Sequence, residues 1–309
     1  LATVGVARAK SRHAARIAAL GVVAMLAAGV EAEARTACPT AGTETVAVAA
    51  VEPRLVLRLE DGRLIRLSGL DPALSTPDAP DRDDVAREAL AALVGHGAIG
   101  IAPLAAMPDR WGRITALAFR ADAAAGAPRD LAVAAIAAGL GRYLAEPAAH
   151  GCRAALVAAE DQARAQKLGL WADPYYAVLA VDDRAGFAER AGTLVVAEGR
   201  LAAVETGPMR DTLIFSGQRD EPGDVSARGS RSGHTLSATI APHVRKIIEA
   251  RGVHVSSLIG RTLRLRGLLD MRFGPRIELG DPDDFDVLAS GGDGIAPAGA
   301  AGSALAGAR

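Results

Sequence analysis

The alternation of apolar and polar positions is sharpest between Thr45 and Asp71. Val46, Val48 and Val51 predict one strand, and Leu55, Leu57 and Leu59 alternate with Val56, Arg58 and Glu60 to predict the next. Asp61-Gly62 then marks a two-residue hairpin, because a type I′ turn needs positive φ at both central positions. Leu64 to Leu67 resumes the strand and runs through Gly69 to Asp71, so one strand end presents Arg66 and, five residues later, a carboxylate. Opposite charges at a strand end suit a phosphate-and-metal site, and they equally suit a surface ion pair.

Downstream, Pro72 to Pro80 is a proline-broken loop. Asp83-Asp84 opens a helix whose apolar face is expected at Val85, Ala89, Leu90 and Leu93, ended by Gly95 and Gly97. Ile99 to Leu104 and Arg113 to Arg120 read as strands, with Asp109-Arg110-Trp111-Gly112 as the turn that places Arg113 at a strand start. A helix from Pro128 to Ala138 stops at Gly139, and Leu140 to Leu144 is a short extended stretch carrying Tyr143. A long helix follows from about Pro147 to Leu168, with Cys152, Leu156, Ala159 and Ala163 along one side. Glu160, Arg164 and Lys167 are spaced on it for pairing within the helix. Strands ahead of and between helices predict an antiparallel barrel with helices packed on it, rather than a parallel sheet.

After a linker at Asp182–Arg184 and Gly186 the pattern is again β. Strands are expected at Thr193–Glu198, Gly199–Val204, Thr212–Phe215 and Thr235–Ile240, with a polar loop over Gln218–Gly233. A helix over Pro242–Ala250 precedes Arg261–Gly267, where arginine alternates with leucine or threonine, and a last strand ends at Leu279. Asp281 to Asp286 is an acidic exit, and residues 290–309, rich in Gly, Ala, Ser and Pro, are expected to be a disordered tail.

Composition changes this picture in three places. Aromatics are only 3% of 309 residues, so two cores must be built from Ala, Val, Leu and Ile. The formal net charge of −1 excludes a global basic field, so any anion site has to be local. The N-terminus reads as an export signal over residues 1–34: Arg8, Lys10, Arg12 and Arg16, an apolar run from Ile17 to Val30, then Ala32-Glu33-Ala34. The run is short for a bilayer span of about 20 residues, which leaves an uncleaved anchor as the alternative. Export to the periplasm or beyond, in turn, favours a disulfide between the two cysteines, Cys38 and Cys152.

Residues 45–176 resemble the staphylococcal-nuclease (thermonuclease) family. The likeness rests on Leu59-Glu60-Asp61-Gly62, Arg66-Leu-Ser-Gly-Leu-Asp71, Asp109-Arg-Trp-Gly-Arg113, Gly139-Leu140 with Tyr143, and Glu160-x-x-Ala-Arg164 leading to Gly169-Leu170-Trp171. It implies an OB-type five-stranded β-barrel with three helices. Residues 187–289 resemble the small OB-fold domains of bacterial nucleic-acid proteins, through the Gly-Arg-x-Leu-Arg-Leu-Arg-Gly strand and the Gly-Pro-x-Ile-Glu-Leu hairpin. The expected fold is therefore mainly β with α, two barrels in tandem. Arg261, Arg264, Arg266, Arg272 and Arg276 are candidates for a basic single-strand groove on the second.

The family resemblance implies Ca²⁺-dependent hydrolysis of phosphodiesters. By position, Arg66 and Arg113 match the two arginines that hold the phosphate, and Asp71 matches one of two carboxylates on the metal. A hard cation takes oxygen ligands, and arginine forks onto phosphate oxygens. The other members are replaced: the first metal carboxylate falls on Leu55, and the water-activating glutamate on Leu74. Asp78, Asp81 or Asp83 are the loop acids in a position to substitute, and Glu52 is three residues from the Leu55 position. The expectation is a weak or inactive nuclease that binds nucleic acid or another polyanion. A phosphodiesterase with a rebuilt Ca²⁺ site and a cell-envelope interaction module are the alternatives. His234, His243 and His254 have no metal-site spacing.

Overall fold

In the first barrel, β1 (Glu44–Glu52), β2 (Val56–Leu59) and β3 (Leu64–Leu67) form a meander. It is closed by β5 (Ala98–Pro103) and β6 (Arg113–Arg120) in the order β1-β2-β3-β6-β5, with β5 returning to β1. β3 and β6 run parallel, and every other pairing in the ring is antiparallel. Leu57, Leu59, Ile65, Leu67, Ile99 and Ile101 fill the interior, as the two-residue alternation requires. The structure, a computed structural model, describes Cys38 and residues 43–120, 129–216 and 235–288. The expected export segment, the loop 218–233 and the tail 290–309 lie outside the described residues.

Two local expectations are corrected. The β2–β3 turn is not a type I′ hairpin: only Gly62 has positive φ (88°), and Leu59 N bonds Arg63 O while Gly62 N bonds Leu59 O. Asp61 instead caps the turn by accepting from Arg63 N and Nε, which suits a longer loop with one left-handed glycine. Helix α1 (Arg82–Val94) buries Ala86, Leu90 and Val94 and exposes Val85. Of the expected face, Leu90 is fully buried and Ala89 and Leu93 pack partly buried against the core, so Val85 alone falls outside it, and Arg82 at the first turn pairs with Asp173 at 2.6 Å.

β4 (Leu70–Pro72) pairs with β7 (Gly141–Tyr143), which sets Asp71 opposite Arg142. Between α2 (Leu131–Ala137) and β7, Gly139 has φ 70° and lies against the chain at Leu168, where a Cβ would fall 2.2 Å from a carbonyl oxygen. Only glycine permits that approach. The long helix expected from Pro147 divides into a 3-10 turn (Pro147–Cys152) and α3 (Arg153–Ala165). Cys152 is disulfide-bonded to Cys38, closing a loop over 114 residues of separation.

The second sheet is also a ring. β9 (Leu194–Thr206), β10 (Asp211–Ser216), β11 (Ser237–Ile240), β13 (Arg276–Leu279) and β12 (Thr262–Asp270) follow one another, and β12 pairs back with β9. β11 and β13 are parallel, and α5 (Pro242–Ala250) lies between the third and fourth strands in sequence, as α1 does in the first ring. The two rings thus share one strand order. β8 (Leu179–Ala180) and β14 (Phe285–Val287) add to the sheet edges. The expected linker at Asp182–Gly186 opens a packed helix, α4 (Arg184–Glu189): Asp183 caps it through Gly186 N, and Phe187 is fully buried. No described helix is long and apolar enough to cross a membrane.

The rings are joined by apolar packing of Ala163, Leu170, Trp171 and Tyr176 on Val196, and by buried charge. Glu160 is not paired along its own helix; it holds Arg266, which also holds Asp286. Arg264 is shared by Asp161 and Glu198, and Arg164 joins the same two acids. Burial alone would lower the pKa of Arg266, but the charges of Glu160 and Asp286 outweigh it and push it up. Arg264 and Arg266 therefore face the first ring, and Arg272 and Arg276 pair with Asp270.

Two outcomes follow for stability. Removing one partner of a buried pair costs about 3–5 kcal/mol, whereas replacing both with apolar groups is often neutral. Arg266→Met is expected to fall in that range in denaturant unfolding, and adding Glu160→Leu is expected to recover much of the loss. Asp284 accepts from Gly280 N and Asp281 N, yet burial, aided by the charge of Asp281, pushes its pKa up to about 7. Its protonated form is favoured by folding, so this contribution is full below its ordinary pKa of 3.8 and is lost as pH rises through about 7. Asp284→Asn should match wild type in acid and exceed its melting temperature above pH 7, in thermal scans across that range.

Candidate functional site

The outer face of β3 and β6 is built by register. Ile65 and Leu67 point into the barrel, so Leu64 and Arg66 point out, and the parallel pairing sets Leu64 beside Arg113 and Arg66 beside Thr115. The two sequence-predicted arginines therefore do share one face. At its Leu64 end lies a groove of about 750 Å³, lined by Glu52, Pro53, Arg54, Val56, Leu64, Trp111 and Arg113.

The turn before β6 shapes this groove. Asp109 accepts from the backbone of Trp111 and Arg113 and from the Arg113 guanidinium at 3.0 and 2.8 Å. Burial works against its charge, but the Arg113 bonds and the Trp111 N–H outweigh it and hold the carboxyl below its usual range. The turn leaves Trp111 58% exposed, with the guanidinium of Arg110 3.8 Å and that of Arg113 4.7 Å from its ring centre. Both distances are within cation–π range. Among the described residues, neither Arg110 nor Arg54 has a carboxylate partner for its side chain.

Across the groove, Arg54 and Leu55 both have positive φ, 60° and 56°. Left-handed geometry at non-glycine residues costs of order 1 kcal/mol each and collects at functional sites. Here it directs Leu55 into the core, where it is 2% exposed, and leaves Arg54 at the groove lip.

Arg66 is half-buried, and its guanidinium is paired within the chain. Its Nη1 and Nη2 donate to the two oxygens of Glu146 at 3.1 and 2.7 Å, and Nη2 also donates to Thr115 Oγ1 at 2.8 Å. Asp71 is turned elsewhere: it is 8% exposed and accepts from Arg142 Nε at 2.9 Å, with Arg142 Nη2 in ion-pair contact at 2.9 Å. Arg142 Nη2 also donates to Leu194 O of the second ring at 2.8 Å. Leu74 is half-exposed, with its backbone clasped by the Tyr176 hydroxyl through Leu74 N and O. The expected set thus divides: Arg66 and Arg113 come together, while Asp71 belongs to the contact between rings.

No family model matches the chain, and no curated protein matches it.

A Ca²⁺ ion at Asp71 would need several oxygen ligands. The charge on Asp71 is neutralised by Arg142, the position that the resemblance gives to the first metal carboxylate is Leu55, apolar and buried, and Asp284, the other acid lining the small cavity beside Asp71, is itself held by the Gly280 and Asp281 amides. Glu52, the acid on the groove wall, is bonded to Arg58 at 2.6 Å. The donor set does not fit a hard cation.

Sequence reasoning missed Arg142, Glu146 and His150. Arg142 had one signal, a charge inside an otherwise apolar three-residue strand, whereas Glu146 precedes a proline in a loop and has none. His150 Nε2 lies 2.8 Å from Asp281 and 3.8 Å from Asp283, and these three groups place their ligand atoms within 4.8 Å of one another. Arg153 and Arg251 already sit on Asp283, which balances that cluster from within. A second grouping, Cys38, Asp130 and Cys152, has its sulfurs joined to each other.

Asp71→Ala leaves Arg142 buried without its acid, so it is expected to destabilise the protein by about 3–5 kcal/mol in denaturant unfolding. Ca²⁺ is expected to leave the wild-type melting temperature unchanged.

Proposed function

We propose that this chain is an exported, thermonuclease-like protein that binds a nucleic-acid strand in the Trp111 groove of an OB-type barrel without cleaving it. The observation that carries this reading is the exposed indole with the guanidiniums of Arg110 and Arg113 within cation–π range of it, and with Arg54 on the facing lip. Bases stack on aromatic faces and guanidinium planes whatever their sequence, and cations along the groove follow the backbone. The ring order, with its parallel closing pair and its helix before the fourth strand, supports the OB-type assignment for both barrels. The Cys38–Cys152 bond supports an oxidising compartment.

The pairing of Asp71 with Arg142 argues against the rival reading, a Ca²⁺-dependent phosphodiesterase. Leu55 and Leu74, where the family places its other carboxylates, argue the same way. A single-strand site on the second barrel has less support, because Arg264 and Arg266 are committed to acids of the contact between rings.

Stacking on one aromatic residue is worth about 1–3 kcal/mol per base, so Trp111→Ala is expected to weaken binding of a fluorescent single-stranded oligonucleotide about tenfold or more. Arg110→Ala should lower both the affinity and its salt slope. The labelled strand should remain intact after incubation with Ca²⁺. Metal-dependent cleavage abolished by Asp71→Ala would establish the phosphodiesterase instead.

A further inference from the structure

Four donors converge on the carboxylate of Glu146. Arg66 contributes Nη1 at 3.1 Å and Nη2 at 2.7 Å, Ser68 its hydroxyl at 3.2 Å, and Gly69 its backbone N–H at 2.8 Å. The set is preorganised: Thr115 fixes the guanidinium, Ser68 is 1% exposed, and Gly69 holds φ 76° at the bend between β3 and β4. A guanidinium fork, a hydroxyl and an amide at a glycine bend form the kind of cradle that takes up the oxygens of a phosphate.

The occupant comes from a different element. Glu146 lies between β7 and the 3-10 turn and accepts no cap bond from that turn with its side chain. Its loop is anchored independently, by Leu144 N donating to Gly69 O at 3.0 Å on one side and by the Cys38–Cys152 bond on the other. The carboxylate can therefore leave without the loop leaving. Its side chain is 17% exposed, so the cradle lies near solvent.

We infer that Glu146 is an internal anion that keeps the Arg66 cradle closed, and that a phosphate group occupies the cradle only when Glu146 is displaced. The cradle is a second anion position on the same outer face as the groove proposed above, and the inference rests on the resemblance that makes Arg66 a phosphate ligand. Because the internal carboxylate is tethered beside its donors, a free phosphate competes against a high effective concentration. The resting protein would then grip a strand through the Trp111 groove, with the Arg66 end of the same face shut.

The test is a titration of wild type, Glu146→Ala and the double variant Glu146→Ala/Arg66→Ala with inorganic phosphate at constant ionic strength. Binding is read by thermal unfolding and by ³¹P NMR line width. The wild type should not respond. Glu146→Ala should melt lower in chloride, recover in phosphate, and bind phosphate at least about tenfold tighter than wild type, a difference of about 1.4 kcal/mol. Formate, which restores the missing carboxylate, should also raise its melting temperature. The double variant should lose both responses.

Equal phosphate responses in wild type and Glu146→Ala would overturn the inference, and so would a response that survives loss of Arg66. If Glu146→Ala does not fold in chloride, refolding in phosphate or formate supports the cradle, and failure in both overturns it. The oligonucleotide assay on Trp111→Ala reads the groove separately. Phosphate uptake by Glu146→Ala alongside an unchanged Trp111→Ala affinity would remove the groove and leave the cradle standing.

Discussion

Arg142 leaves β7 of the first barrel with two obligations. Its Nε and Nη2 hold Asp71, and Nη2 also reaches the carbonyl of Leu194 at the start of the second barrel. A buried guanidinium cannot shed its proton, so it must find acceptors wherever the fold places it. The same constraint recurs along the contact, where Arg266 takes Glu160 and Asp286, and Arg264 takes Asp161 and Glu198. Such pairs add little net stability over apolar packing, but they strongly penalise any arrangement that breaks them. They fix how one ring meets the other more than how tightly.

That constraint reaches the candidate site. An acid on β4 would be free to approach a cation if its neighbour on β7 were apolar. Pairing across the two strands sets Asp71 opposite Arg142 instead, and the second barrel completes the arginine's set of acceptors. The acid is thereby committed to architecture. What is left on the outer face of β3 and β6 is a surface of guanidiniums and one indole, whose neighbouring acids Glu52, Asp109 and Glu146 are each bonded to an arginine. Glu146 extends the same logic to Arg66, which is half-buried and satisfied from within the chain.

Much of the fold was legible in the sequence. The leucine alternation gave β2 and β3, the Asp109–Gly112 turn gave the start of β6, and Pro242 gave the start of α5. Arg66 and Arg113 were legible as a pair through the family resemblance alone, and strand register brings them to one face. The rest depended on distance in sequence. Asp71 and Arg142 are 71 residues apart, and Arg66 and Glu146 are 80 apart, so no local period links them. Alternation along Arg261–Gly267 pointed to a solvated basic face, but alternation reports two faces without saying what covers either. The first barrel covers the arginine face, and Arg264 and Arg266 are buried. Glu160 misled for the same reason: its spacing suits a partner on its own helix, and a stronger partner on another element took it.

The most direct measurement of the account is a crystal soaked with Mn²⁺ as an anomalous stand-in for Ca²⁺, read at Asp71. The account predicts no anomalous peak within ligand distance of the Asp71 carboxylate, and Arg142 still bonded to it. An ion bound by Asp71, with Arg142 displaced and other oxygens completing its coordination, would contradict it.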